Sequence, residues 1–428
     1  MMEQIEYPSQ SLWNTILARP TDSYDSLEPL VKEVFDEVAT KGDKAVKHYT
    51  EQFDGVLLEN LQVPQKALEA AAEALSDELK KAMTQAKQNI EKFHRAQKTS
   101  KVELTTQAGV HCWQEKRPVE KVGLYIPGGS APLFSTIMML AIPAQIAGCQ
   151  ERILCTPPNE KGDVDPAILY AAQLCGITTV YRVGGIQAIA AMTLGTASIP
   201  KVYKIFGPGN QFVTAAKQWA TKFQVAIDLP AGPSELLVAA DATSNPNYVA
   251  ADLLSQAEHG PDSQVVLVST SSSLIEAVRK AIDIQLEQLP RKEIATQALE
   301  NSKAILVASD AAAIDLINAY APEHYIIMTE NEQDYVDGVQ NAGSVFIGAY
   351  TPESAGDYAS GTNHTLPTNG YARQYSGVNL DSFMKAITFQ KITDNGLQKL
   401  GPAIEIMATA EGLEAHKNDV SIRLKDLL

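Results

Sequence analysis

Val122-Gly-Leu-Tyr-Ile-Pro-Gly-Gly-Ser130 is the stretch that decides the fold. A short apolar run of strand type, residues 122–126, enters a tight glycine loop, and residues 133–147 continue as an apolar helix. The order repeats downstream. Strand 152–155 precedes helix 166–175, strand 179–183 precedes Gly184-Gly185 and helix 186–194, and strand 201–206 precedes Gly207-Pro-Gly-Asn210 and helix 212–222. Such alternation argues for a parallel sheet flanked by helices.

A second series starts with strand 235–239 and helix 247–259. It continues through strand 264–268, helix 273–289, strand 304–307, helix 311–320 and the strands 324–328 and 344–347. Two α/β domains follow, with ligands expected between them at the carboxyl ends of strands. Ahead of both lie a short arm over residues 1–20, helices over 27–54 and 65–100, and a β-rich patch over 102–116. Residues after about 378 read as a short helical unit.

With 428 residues, more than one domain is the prior expectation. A hydrophobic fraction of 45% and a charged fraction of 20% are ordinary for a soluble globular protein. The net charge of −16 argues against nucleic-acid binding, which needs a basic face. The longest apolar run, 136–148, contains Pro143 and is too short to span a bilayer, so no membrane association is expected. The acidic start, Met1-Met-Glu-Gln-Ile-Glu-Tyr-Pro8, lacks the basic and then apolar order of a signal peptide, and a cytoplasmic location is expected. Cys112, Cys149, Cys155 and Cys175 show no CxxC spacing. The last three sit in apolar patterns as core fillers. Cys112, beside His111, has the type of a nucleophile but no visible supporting partners.

The chemistry concentrates elsewhere. Glu353-Ser-Ala-Gly-Asp-Tyr-Ala-Ser-Gly-Thr-Asn-His-Thr-Leu-Pro-Thr-Asn-Gly370 is glycine-rich, polar and long, and it holds Asp357 and His364. So long a loop in a compact domain points to function rather than to idle surface. Of the seven histidines, four lie in the second series, this loop and the tail, each with an acidic or amide neighbour. Gln256 and His259 share one helical face at i, i+3. Glu323 and His324 are adjacent after Pro322, Asp357 precedes His364, and Glu411 precedes His416. Imidazole with oxygen donors suits zinc. On the 252–260 helix the second ligand could be Glu258, Asp252 or Gln256, with a carboxylate the commoner choice. His48 and His94, in charged helical contexts, read as solvated.

Gly207-Pro-Gly-Asn-Gln-Phe212 approximates G-x-G-x-x-G with Phe212 in the last place. Asp228 follows about 20 residues on, where a dinucleotide fingerprint wants an acid. With Pro127-Gly-Gly129 and Gly184-Gly-Ile-Gln187, this loop offers backbone N–H groups to a pyrophosphate at helix N-termini. The plainer role of these glycines is to permit tight turns.

Longer stretches add to this. Ala226-Ile-Asp-Leu-Pro-Ala-Gly-Pro-Ser-Glu-Leu-Leu-Val238, Ala251-Asp-Leu-Leu-Ser-Gln-Ala-Glu-His259 and Ala321-Pro-Glu-His324 come first. Gly356-Asp-Tyr-Ala-Ser-Gly-Thr-Asn-His-Thr-Leu-Pro367 and Ala415-His-Lys-Asn418 follow. In that order they closely resemble the signature of the histidinol dehydrogenases, and the resemblance runs from Tyr125 to the tail. It implies two incomplete Rossmann-like α/β domains with parallel-sheet cores and small N- and C-terminal helical segments. The boundaries would be an arm at 1–20, a first domain at 21–124 with 236–378, an NAD-side domain at 125–235 and a tail at 379–428.

The resemblance also implies a two-step oxidation of L-histidinol through L-histidinal to L-histidine, with reduction of two NAD+. One zinc ion per subunit would be held by Gln256, His259, Asp357 and His416. Ser234, Glu323, His324, His364, Glu411 and the metal ligands would line the substrate pocket. Glu323 and His324 would be the catalytic pair, and Tyr125, Gln187 and Asn210 would contact NAD. The protein would be a homodimer that exchanges its ends, with His416 serving the partner's site. Two other readings fit some residues: a zinc-dependent hydrolase on an α/β scaffold, with Glu323 activating a metal-bound water, and a non-catalytic binding protein. The first leaves the glycine loops unexplained, and the second leaves Glu323–His324 without a role.

Overall fold

A computed structural model describes residues 2–20, 24–128, 132–230 and 232–427. Gly129 and Ser130 of the first glycine loop, and Ala231 of the 226–238 stretch, lie outside the described residues. The chain divides into two compact units, one formed by Met1–Gln97 with Glu120–Ser382 and the other by Lys98–Val119 with Phe383–Leu428.

The larger unit contains both expected parallel sheets. One has the order β1 (Glu3–Glu6), β11 (Lys303–Leu306), β10 (Gln264–Ser269), β9 (Glu235–Ala240), β12 (His324–Met328) and β13 (Ser344–Ile347). Every pairing in it is parallel. Along β9, Leu236 and Val238 enter one apolar cluster while Leu237 and Ala239 enter another on the opposite face. Burial on both faces is why these strands read as unbroken apolar runs. The expected arm is in part a strand, since β1 forms the sheet edge beside β11.

The other parallel sheet has the order β6 (Thr179–Arg182), β5 (Glu151–Thr156), β4 (Lys121–Tyr125), β7 (Lys204–Phe206) and β8 (Ala226–Ile227). Gly207, directly after β7, has φ 129°, and a Cβ there would stand 2.0 Å from the Tyr125 carbonyl oxygen. Only glycine lets the two strand ends approach so closely. The sequence grouped residues 21–124 with the six-stranded sheet. Packing joins the helices Glu28–Lys41 and Asp43–Asp54 to the five-stranded sheet instead, because Val31, Val34, Phe35 and Val46 share a core with Ile153, Ile189 and Ile205.

The smaller unit contains an antiparallel sheet of order β14 (Met384–Ile392), β3 (Val110–Pro118) and β2 (Val102–Gln107), with the helices Asp394–Ala410 and Glu414–Lys425. The tail is therefore not helical throughout. Its strand forms by pairing with a partner far earlier in the chain, with Trp113 stacked on Phe389 at 5.2 Å.

The 353–370 stretch also differs from expectation. Glu353–Tyr358 is a short helix, and the coil after it buries Asn363, Thr365, Leu366 and Thr368. The Asn363 amide donates to the Met139 carbonyl at 2.6 Å and reaches His94 Nε2 at 3.3 Å. His94 is fully buried rather than solvated, with Nδ1 donating to the Ile90 carbonyl at 2.9 Å. The charges that made it look exposed, Lys92 and Arg95, occupy outer faces of the same helix. Among the described residues, no helix is long and apolar enough to cross a membrane.

Candidate active site

A cavity of about 740 Å³ lies where the amino ends of β9 and β12 face the carboxyl ends of β4 and β7. Pro127 and Gly128 follow β4 on its wall, Asn210 and Phe212 follow β7, and Ser234, Glu323 and His324 precede or begin the other two strands. The five-stranded sheet thus offers its carboxyl ends, as expected, but the six-stranded sheet offers its amino ends. The reason is local. The helix Asp310–Tyr320 stops at Ala321, which sits in the left-handed region at φ 55°, and Pro322 bars any continuation. The chain reverses there and delivers Glu323 and His324 at the start of a buried strand.

Backbone atoms of one residue, Glu235, hold both side chains. The Glu235 N–H donates to Glu323 Oε2 at 2.8 Å, and His324 Nδ1 donates to the Glu235 carbonyl at 3.2 Å. A carbonyl only accepts, so Nδ1 carries a proton, while Nε2 is buried and has no hydrogen-bond partner. Asp357 Oδ1 lies 3.5 Å from Nε2, Glu353 Oε1 lies 3.5 Å from Nδ1, and Glu323 Oε2 lies 3.7 Å from Nδ1. Glu353 and Asp357, one turn apart on their helix, bracket the ring at its two nitrogens.

The charges follow from this packing. Burial pushes the His324 pKa down, but Glu353, Glu323 and Asp357 more than offset it, and it stands well above the ordinary value. Burial pushes Glu323 up to about 8, against the opposing pull of His324 and the Glu235 N–H. Glu353 is likewise pushed by burial to about 8. Burial alone would raise Asp357, yet His324, His364 and His259 hold it below the usual carboxylate range. Burial lowers His259 and His364, with Asp357 pulling both the other way, so they favour the neutral, metal-ligating form.

The oxygen and nitrogen donors suit zinc. Gln256 Nε2 donates to His259 Nδ1 at 2.8 Å, and Gln256 Oε1 is buried without any hydrogen-bond partner. A buried amide oxygen left unpaired is costly unless something coordinates it. His259 and Asp357 both line the cavity. Of the competing choices on this helix, Asp252 is buried and pushed up to about 7 by burial, which favours its neutral form. His324, Glu353 and Asp357 also present ligand-type atoms within 4.8 Å of one another. The two carboxylates meet opposite ring nitrogens, so this trio is a bracketed base rather than three converging donors.

The family model for histidinol dehydrogenase matches residues 17–424. The chain belongs to the histidinol dehydrogenase family. The histidinol dehydrogenase of Bacteroides thetaiotaomicron is 57% identical over the full length of both chains. That of Escherichia coli is 52% identical over 96% of this chain and 95% of its own. The crystal structure of histidinol dehydrogenase from Elizabethkingia anophelis superposes with a TM-score of 0.97 at 56% identity, covering 100% of this chain and 98% of that one.

The other residues that the histidinol dehydrogenase resemblance named fall into three groups. His364 lines the cavity, with Nδ1 donating to the Asp357 carbonyl at 2.8 Å and Nε2 accepting from Thr136 Oγ1 at 3.1 Å. Ser234 lines it too. Of the expected NAD contacts only Asn210 does, while also capping the helix Gln211–Ala220 through Val213 N at 3.1 Å. Tyr125 is buried, with its hydroxyl accepting from Gly185 N at 3.1 Å. Gln187 donates to Asp54 at 3.2 Å and keeps a buried, unpaired Oε1. Glu411 and His416 belong to the smaller unit and are exposed there.

Asp228 does not play the part its spacing suggested. Its carboxylate takes Gly207 N at 2.7 Å and Lys217 Nζ at 2.5 Å, so it pins the glycine loop from behind. Sequence reasoning missed Glu353, Glu235 and Arg19. Glu353 stands at i−4 from Asp357, a helical spacing hidden by the glycine-rich composition around it. Glu235 lay inside an apolar strand signal, and Arg19 meets Glu235 only through the fold.

Proposed function

We propose that the chain is an NAD-dependent histidinol dehydrogenase that oxidises L-histidinol through L-histidinal to L-histidine, the last step of histidine biosynthesis, in the cytoplasm. The observation that carries this reading is the Glu323–His324 pair at the cavity wall, with the His324 Nε2 unpaired by any hydrogen bond. The loops after β4 and β7 and Asn210 would hold NAD+, which would supply the hydride acceptor for each of the two oxidations. Gln256, His259, Asp357 and the tail residue His416 would hold zinc, which would supply an anchor for the imidazole and amine of histidinol.

His324 accepts the hydroxyl proton at Nε2 in the first oxidation. Committing Asp357 to metal leaves two carboxylates rather than three facing the ring, which frees Nε2 to accept. Glu323, also at the wall, takes a proton from the water that hydrates the aldehyde before the second oxidation. Ser234, His364 and Glu411 complete the substrate pocket.

The assembly is a homodimer in which the tail brings Glu411 and His416 to the partner's cavity. This is supported by the exposed Ile406, Met407, Leu413 and Ile422 on the tail, an apolar surface of the kind that subunits cover. Incubation of the purified protein with L-histidinol, zinc and NAD+ tests the function: NADH and L-histidine should both form, and the absence of NADH refutes the reading.

A further inference from the structure

We propose that Arg19, from the N-terminal arm, is a positioning residue for the Glu323–His324 pair and acts through Glu235. The inference rests on the catalytic reading of that pair given above. Glu235 touches both side chains, and it does so with backbone atoms: its N–H holds Glu323 Oε2 at 2.8 Å and its carbonyl takes His324 Nδ1 at 3.2 Å. The orientation of this one residue therefore sets both members of the pair. Glu235 is the first residue of β9, where the strand ladder begins, so the ladder constrains it from one side only.

The Glu235 side chain supplies the rest of the constraint. Its carboxylate, 2% exposed, accepts Arg19 Nε–H at 2.8 Å and Nη2–H at 2.9 Å. Oε1 also takes the Asn369 N–H at 2.6 Å. Arg19 is fixed in turn, because Nη2 donates to the Tyr320 carbonyl at 2.7 Å and the guanidinium lies 4.0 Å over the Tyr320 ring. Gln264 ties the preceding residue in place by donating to the Ala18 carbonyl at 3.1 Å. A two-pronged, stacked contact of this kind is specific to guanidinium, and a lysine ammonium cannot reproduce it.

Arg19 is not on the wall of the catalytic cavity. It borders a separate cavity of about 650 Å³ with Trp13, Leu17, Asp315 and Arg373. Its influence on the reaction thus runs through Glu235, and the second cavity gives a small cation access to the guanidinium's place.

The test compares Arg19→Ala, Arg19→Lys and His324→Ala in the zinc-loaded enzyme, by kcat, KM for L-histidinol and melting temperature. Misplacement of a reacting group by about 1 Å costs roughly 100-fold, so Arg19→Ala should lose about 10- to 100-fold in kcat with KM little changed. Added guanidinium ion should restore a saturable part of that kcat. Arg19→Lys should melt close to the parent yet keep the kcat defect. The proposal is overturned if Arg19→Ala keeps the parental kcat. It is equally overturned if its loss follows the fraction unfolded and guanidinium does not restore it, or if Arg19→Lys recovers kcat fully. His324→Ala separates the two claims. If it retains kcat, the catalytic reading fails and takes this proposal with it; if it loses kcat while Arg19→Ala does not, only the proposal fails.

Discussion

His324 and Glu323 are neighbours in sequence, both held by backbone atoms of Glu235, yet their environments differ. The first has a buried Nε2 without a hydrogen-bond partner, and the second carries a carboxyl that burial raises to about 8. His324→Ala should therefore lose the first oxidation by about 100- to 10,000-fold, while Glu323→Gln should still turn histidinol into histidinal. Assays started from histidinol and from histidinal distinguish the two, and equal loss of both half-reactions in Glu323→Gln would contradict this division.

The pH dependence has a definite sign. A general base works deprotonated, so oxidation of supplied histidinal should rise with pH and level off above about 8, and Glu323→Gln should flatten that limb. For stability the same shift acts in the opposite sense. The folded protein keeps a proton on Glu323 that the unfolded chain releases, so its contribution is full below 4.5 and is lost as pH rises through about 8. Melting of the zinc-free protein should decline less over that window in Glu323→Gln. At this scale the sequence showed the His324, Asp357, His364 and His259 types by spacing, while the choice of Gln256 over Glu258 and Asp252 as the proposed ligand came only with the family resemblance. Arg19, Glu235 and Glu353 were not legible, because each acquires meaning from a contact across the fold.

The elements that place these residues depend on tight approaches between strand ends. The Gly343 N–H donates to the Pro322 carbonyl at 2.9 Å, and a Cβ at Gly343 would stand 2.5 Å from the Glu323 carbonyl oxygen. Gly343→Ala must move backbone rather than a flexible side chain. It should destabilise by about 1–3 kcal/mol and, on the proposed roles of Glu323 and His324, lower kcat as well, because the displaced atom is the Glu323 carbonyl oxygen. Melting and steady-state assays check both effects, and a variant that lost stability but kept kcat would argue that the amino end of β12 tolerates movement. The parallel strands were legible as apolar runs, and the helices between them as amphipathic or apolar segments. β1, β8 and β14 were not, since β1 is a four-residue edge strand, β8 has two residues and β14 exists by pairing with β3. The helix Glu353–Tyr358 escaped notice because Gly356 and the polar composition after it weaken any helical signal.

For the whole molecule, the residues expected to complete the site are split between the two compact units, with Gln256, His259 and Asp357 in one and Glu411 and His416 in the other. If the tail serves the partner, a His416→Ala subunit and a His259→Ala subunit are each inactive alone, but mixed dimers regain one intact site. Activity should reappear when the two are refolded together, and its absence would place each tail at its own subunit's site. Metal loss should act at this level as well. Removing zinc with a chelator should abolish oxidation and lower the melting temperature, since a ligand at 100 times its Kd contributes about 2.7 kcal/mol; readdition should restore both.

The central claim is that one cavity carries two successive oxidations, one served by His324 and the other by Glu323. Counting NADH against L-histidine formed from a limiting amount of L-histidinol tests it most directly. The account predicts two NADH per histidine with no accumulation of histidinal, and a ratio near one, with free histidinal as the product, would contradict it.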